Sequence, residues 1–138
     1  MKEMVRYTDS LHRFSSNQFQ NFCSGWKHPL SSEKLFEILK AGYCVVVAYD
    51  TENFQPVGFV YAISDGILSA FIPLIEVLPE HQHKGIGTEL MKLILERLEN
   101  FYMVDLCCDD SLEKFYSRFG FLSCSGMVKR EKHNLFIS

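Results

Sequence analysis

The run Gln82-His83-Lys84-Gly85-Ile86-Gly87-Thr88 lies between an apolar stretch, Leu68 to Leu78, and a strongly amphipathic one, Gly85 to Asn100. In the second stretch Ile86, Leu90, Ile94 and Leu98 recur at helical spacing, and Met91 and Leu95 widen the face. Glu89, Lys92, Glu96 and Glu99 form the opposite, wet stripe, so the periodicity predicts a helix over 85–100. The apolar run before it reads as a strand, and Met103 to Cys108 as another. A strand–helix–strand unit crosses over right-handedly, which makes those two strands parallel neighbours. Pro73 interrupts the first strand. Proline has no N–H for the ladder, so a bulge or a splayed edge is expected there.

The remaining sequence supplies antiparallel partners. Met4 to Thr8 reads as a short strand, and Ser10 to Phe22, with Leu11, Phe14, Phe19 and Phe22, as a loose helix. Cys23 to Leu30 is a loop; Ser31-Ser32-Glu33 opens a second helix with Leu35, Phe36, Ile38 and Leu39 on its apolar side and Gly42 as its cap. Tyr43–Tyr49 and Val57–Ile63 form a hairpin around Gln55-Pro56, and Ser64-Asp65-Gly66 is a turn. Asp110-Ser111-Leu112-Glu113 has the spacing of a capping box opening a helix with Leu112, Phe115, Tyr116 and Phe119 on one face, stopped by Gly120. Phe121–Lys132 and Asn134–Ile137 are expected as final strands. The result is an α+β chain of 138 residues in one domain, 1–138, around a mixed, mostly antiparallel central sheet.

Charge and cysteine content narrow the function classes. A net charge of −3 argues against a nucleic-acid partner. No apolar run approaches the roughly 20 residues that span a bilayer, so no membrane partner is expected. The N-terminus Met1-Lys2-Glu3-Met4-Val5-Arg6 is polar, and Cys23, Cys44, Cys107, Cys108 and Cys124 are odd in number without a C-x-x-C pair. Free thiols in a reducing cytoplasm are expected. Cys107 and Cys108, ending a strand, read as buried inert thiols on opposite faces.

The turn at 82–88 carries the chemistry. Free N–H groups and the dipole at a helix N-terminus attract an anion, and glycines let a backbone approach it closely. Lys84 adds a charge and Thr88 a hydroxyl. Neither common nucleotide motif fits. G-x-x-x-x-G-K-[ST] is absent, and G-x-G-x-x-G would need a third glycine at Leu90. His81 and His83 lack the spacing of helical metal ligands, so no metal is expected.

Val77-Leu78-Pro79-Glu80-His81-Gln82-His83-Lys84-Gly85-Ile86-Gly87 resembles the Q/R-x-x-G-x-G/A motif of the GNAT superfamily of N-acetyltransferases. Asp109 to Phe121, DDSLEKFYSRFGF, resembles that family's N-x-x-A-x-x-F-Y-x-x-x-G-F motif. Asp109 replaces the common asparagine, Leu112 the alanine, and His83 a frequent glycine. The resemblance covers about residues 57–121 and implies a sheet with helices on both faces and acetyl-CoA as co-substrate. It places the pyrophosphate on amides of His83 to Thr88, with Gln82, Lys84, Gly85, Ile86 and Gly87 in the same turn. The pantetheine would lie along main-chain groups near Glu76, Val77 and Leu78, with Asp109, Leu112 and Phe115 beside it.

The same resemblance implies amine attack on a thioester, with Tyr116 protonating the departing thiolate. An alkyl amine with a pKa of about 10.4 carries a penalty of ~4–5 kcal/mol at neutral pH unless a base assists. Glu76, the carboxylate within an apolar strand, is the candidate base, and the Val77 N–H the candidate oxyanion donor. Trp26 and His28, in the loop that would cover the acceptor, are the substrate-side candidates. The expected partner is a primary amine on a small molecule or peptide. A non-catalytic acyl-CoA-binding module and a phosphate or nucleotide sensor are the alternatives. The phenylalanine-rich N-terminal segment has two outlets, internal packing or a homodimer.

Overall fold

The computed structural model describes residues 4–130. Five strands, β1 (Val5–Thr8), β2 (Cys44–Asp50), β3 (Pro56–Ser64), β4 (Ser69–Val77) and β5 (Met103–Asp105), form one sheet in sequence order. The first three junctions are antiparallel and β4 runs parallel to β5. Helices α1 (Ser32–Ala41), α2 (Ile86–Arg97) and α3 (Glu113–Ser117) complete the regular structure. The expected mixed, mostly antiparallel sheet is therefore the observed one.

Strand alternation divides the core into two layers. Val46 and Ala48 of β2, with Val60 and Ala62 of β3, meet Ile86, Leu90, Met91, Ile94 and Leu98 from α2. Val45 and Val47, with Phe59 and Tyr61, meet Leu35 and Leu39 of α1 and Phe14, Phe19 and Phe22. The N-terminal phenylalanines thus pack internally.

Four expectations change. Residues 10–22 are turns with one 3₁₀ turn at Ser16–Phe19, not a helix. Serine and glutamine side chains there take the amides a helix would need: His12 N–H donates to Ser10 Oγ (3.2 Å) and Ser15 N–H to Gln18 Oε1 (2.8 Å). The capping box at Asp110 does not form. Asp109 precedes a 3₁₀ turn, Asp110–Leu112, without a side-chain cap, and Glu113 instead accepts the Ser123 hydroxyl at 2.6 Å. No strand occurs over 121–130, and Asn134–Ile137 lies outside the described residues.

The fourth change concerns β5, which ends at Asp105 rather than Cys108. Its last pair is Asp105 with Phe71; the residues of β4 that follow are Ile72 and Pro73. The β3–β4 register shifts there, from Tyr61↔Leu74 to Ile63↔Phe71. A bulge with a donorless proline stops the parallel ladder. Cys107 and Cys108 consequently lie beyond the sheet, exposed rather than buried.

Candidate active site

Beyond Pro73, β4 keeps its antiparallel partner but has lost its parallel one. Leu78 N–H donates to Val57 O at 2.9 Å. Main-chain groups alternate sides along a strand, so Glu76 and Leu78 face β3 while Ile75 and Val77 face the opening beside β5. Leu78 also accepts from His81 N–H (2.9 Å), so both of its main-chain groups are committed within the fold. Of the three main-chain positions proposed from sequence, Val77 is the one whose N–H turns to the groove.

The turn at 82–88 closes the groove's end. Gly85 adopts φ +84, a left-handed conformation that costs an L-residue about 1 kcal/mol or more, and caps α2. His83, where glycine is frequent in the resembling motif, is left-handed too, at φ 64. The Gln82 side chain donates to Val77 O at 2.9 Å and braces the turn against β4. Ile86 is buried, leaving only its main chain for a ligand. A Cβ at Gly87 would stand 3.8 Å from Phe115 and 3.9 Å from Val77. The α2 N-terminus, the β4 edge and α3 thus converge on this glycine.

Tyr116 is 8% exposed, packed edge-on against Phe115 at 5.0 Å and near Phe121 at 6.1 Å. Its hydroxyl has no hydrogen-bond partner among the described residues. Burial first, and neighbouring Cys108 second, push the phenol up, so it stays protonated and can donate. Asp109 and Leu112 are exposed at the turn leading into α3. Desolvation, then the charges of Glu113, Asp109, Asp110 and Cys107, push the Cys108 thiol up. That disfavours its thiolate form.

Glu76 lies opposite Phe59, whose ring belongs to the α1-side layer. Its carboxylate accepts the Cys23 N–H through both oxygens, at 3.1 and 2.9 Å. Cys23 is buried with φ 60, and burial, followed by Glu76's charge and hydrogen bond, pushes its thiol to about 12. Glu76 therefore ties the 23–30 loop to β4, a pairing across 53 positions that no local pattern announces. Trp26 donates its N–H to Cys23 O at 3.1 Å, one turn from that anchor, and is 45% exposed; His28 is exposed farther along.

Tyr116 belongs to the α2-side layer, and Glu76, paired across from Phe59, lies on the α1 side, so the two stand on opposite faces of the sheet. One residue escaped the sequence reading. Arg118 lies over the Phe115 ring (5.0 Å) and donates to Thr88 Oγ1 at 3.4 Å. Its only sequence signal is a cation spaced one helical turn from Phe115. Among the described residues, no group of three His, Cys, Asp or Glu side chains is set to hold a metal ion, and no helix is long and apolar enough to cross a membrane.

The sequence profile of the acetyltransferase (GNAT) family matches residues 9–121, and the chain belongs to that family. A crystal structure of a Deinococcus radiodurans R1 protein, provisionally assigned as an acetyltransferase, is 38% identical; the match covers 94% of this chain and 90% of that one with a TM-score of 0.89. A curated Gibberella zeae protein, also a provisional acetyltransferase, is 25% identical over 55% of this chain, and the match spans about half of that relative's length (51%). The aminoglycoside N-acetyltransferase AAC(6')-Iy, solved in complex with CoA, shares the fold at 13% identity, with 95% of each chain covered and a TM-score of 0.63.

Proposed function

We propose that this protein transfers an acetyl group from acetyl-CoA to a primary amine of a small molecule or peptide. The observation that carries the reading is the half-open edge of β4, flanked by a carboxylate on one face, a protonated phenol on the other, and an anion-binding helix N-terminus at its end. The open main-chain edge of β4 and the amides of Gly85 to Thr88 fit an extended arm ending in phosphates, which family membership and the CoA complex of a fold relative support. Acetyl-CoA, when bound, supplies the activated acyl group.

The chain's own residues divide the remaining work. Amides at the α2 N-terminus hold the phosphates, assisted by Lys84. Val77 N–H stabilises negative charge on the carbonyl oxygen. Glu76, oriented by Cys23 N–H, takes the amine's proton, and Tyr116 gives one to the leaving sulfur. Trp26 and His28 line the acceptor side. Five cysteines without a disulfide fit a reducing cytoplasm.

The test is incubation with acetyl-CoA and a panel of polyamines, amino sugars and lysine-containing peptides, with free CoA thiol and acetylated product both measured. Transfer to at least one amine is expected. CoA binding with no transfer across the panel would leave a non-catalytic acyl-CoA-binding module.

Glu76→Gln checks the base. Turnover should fall on the order of 10²-fold, the lower range for a positioned base, and most steeply at low pH, where neutral amine is scarcest. Glutamine retains an acceptor for Cys23 N–H, so the fluorescence of Trp26, the chain's one tryptophan, should hold steady. A pH–rate profile matching wild type would assign the proton to water or another group.

A further inference from the structure

Arg118 stands in none of the roles assigned above, yet its side chain is held in a definite place. Its guanidinium lies 5.0 Å from the Phe115 ring centre and 5.8 Å from that of Phe119. Nε donates to Phe115 O at 3.5 Å and Nη2 to Thr88 Oγ1 at 3.4 Å. Phe115 is also the ring that closes over Gly87. One aromatic platform therefore sets the arginine beside Thr88 in the first turn of α2.

The arginine has exposed donors in reserve. It is solvent-exposed, and no carboxylate among the described residues lies within ion-pair distance of it. Glu89, the acidic residue of the same helical turn, sits beside Tyr7, whose phenol its charge helps to raise after burial has done so. That puts Glu89 toward the β1 side of α2. A pre-oriented guanidinium next to a helix N-terminus, with no carboxylate partner among the described residues, matches the planar fork that binds phosphate.

We propose that Arg118 is a phosphate-positioning residue, clamping a phosphate of the nucleotide co-substrate against the α2 N-terminus. This rests on the acyl-CoA reading above. Two phosphates share the chemistry, the pyrophosphate and the ribose phosphate. Ring stacking holds the guanidinium before the ligand arrives, which lowers the ordering cost on binding.

Calorimetry on the full chain with CoA, dephospho-CoA and phosphate-free pantetheine separates the cases. Arg118→Gln should weaken CoA roughly tenfold, the size of one charge-assisted contact at a partly exposed site, and leave pantetheine unchanged. Arg118→Lys should recover part of the loss, since it restores charge without the stacked fork. An equal loss with dephospho-CoA assigns the pyrophosphate; a loss confined to CoA assigns the ribose phosphate. CoA affinity within twofold of wild type in Arg118→Gln, or an equal loss with pantetheine, overturns the inference while leaving the acyl-CoA reading intact. Wild-type protein that fails to bind CoA overturns that reading itself.

Discussion

Tyr116→Phe should cut the rate of acetyl transfer roughly 10²- to 10⁴-fold, the range for loss of a positioned general acid. The ring and its edge-on contacts with Phe115 and Phe121 survive the change. The hydroxyl it removes has no hydrogen-bond partner among the described residues, so no buried group is orphaned and the melting temperature should barely move. CoA affinity should also hold, because the phosphate turn and the β4 edge are untouched. In wild type, the raised phenol keeps its proton through the working pH range. Transfer rate, CoA affinity and melting temperature from one preparation decide the matter. A retained rate makes Tyr116 a packing residue, and a joint fall of rate and stability does the same.

Gly87→Glu should separate binding from stability in opposite directions. The added Cβ meets Phe115 and Val77 at ordinary contact distances, 3.8 and 3.9 Å, so the helix start accommodates it. Replacing a helical glycine gains about 0.5–1 kcal/mol, and a carboxylate in the first turn complements the helix dipole. The same carboxylate would stand where the proposed phosphates bind, and like-charge contact costs several kcal/mol. CoA affinity should fall at least ~10²-fold, about 2.7 kcal/mol, while the melting temperature holds or rises. Gly85→Glu is the poorer experiment because Gly85 is left-handed at φ +84. Calorimetry on folded Gly87→Glu with wild-type affinity would remove the phosphates from this turn.

How far the sequence foretold these features depends on whether the cause was local. The hairpin, α1 with Gly42 at its end, and α2 rise from short-range patterns, and all three form. The glycine turn that caps α2 was legible because glycine spacing and helix periodicity meet in one short run. Residues 10–22 misled because Phe14, Phe19 and Phe22 are buried without being helical; contacts with α1 and the sheet hold them. The Glu76–Cys23 bond joins segments 53 positions apart, and Arg118 reaches Thr88 across 30. Such pairings follow from topology, which a single sequence read locally does not contain. Pro73 is the intermediate case: its missing donor was evident, and its effect on the length of β5 emerged only in the assembled sheet.

That proline also works as a ruler. From Pro73 to Leu78 the strand advances about 17 Å at ~3.3 Å per residue, with the glycine turn that opens α2 just beyond its end. An arm laid along the open edge from that turn would pass Val77 first, so its reacting end would fall between Val77 and the bulge, whatever group it carries. Reach is then set by backbone geometry alone. The walls around that stretch, including the Trp26 loop beyond its Cys23–Glu76 anchor, could change shape for a different acceptor without altering the strand that sets the reach.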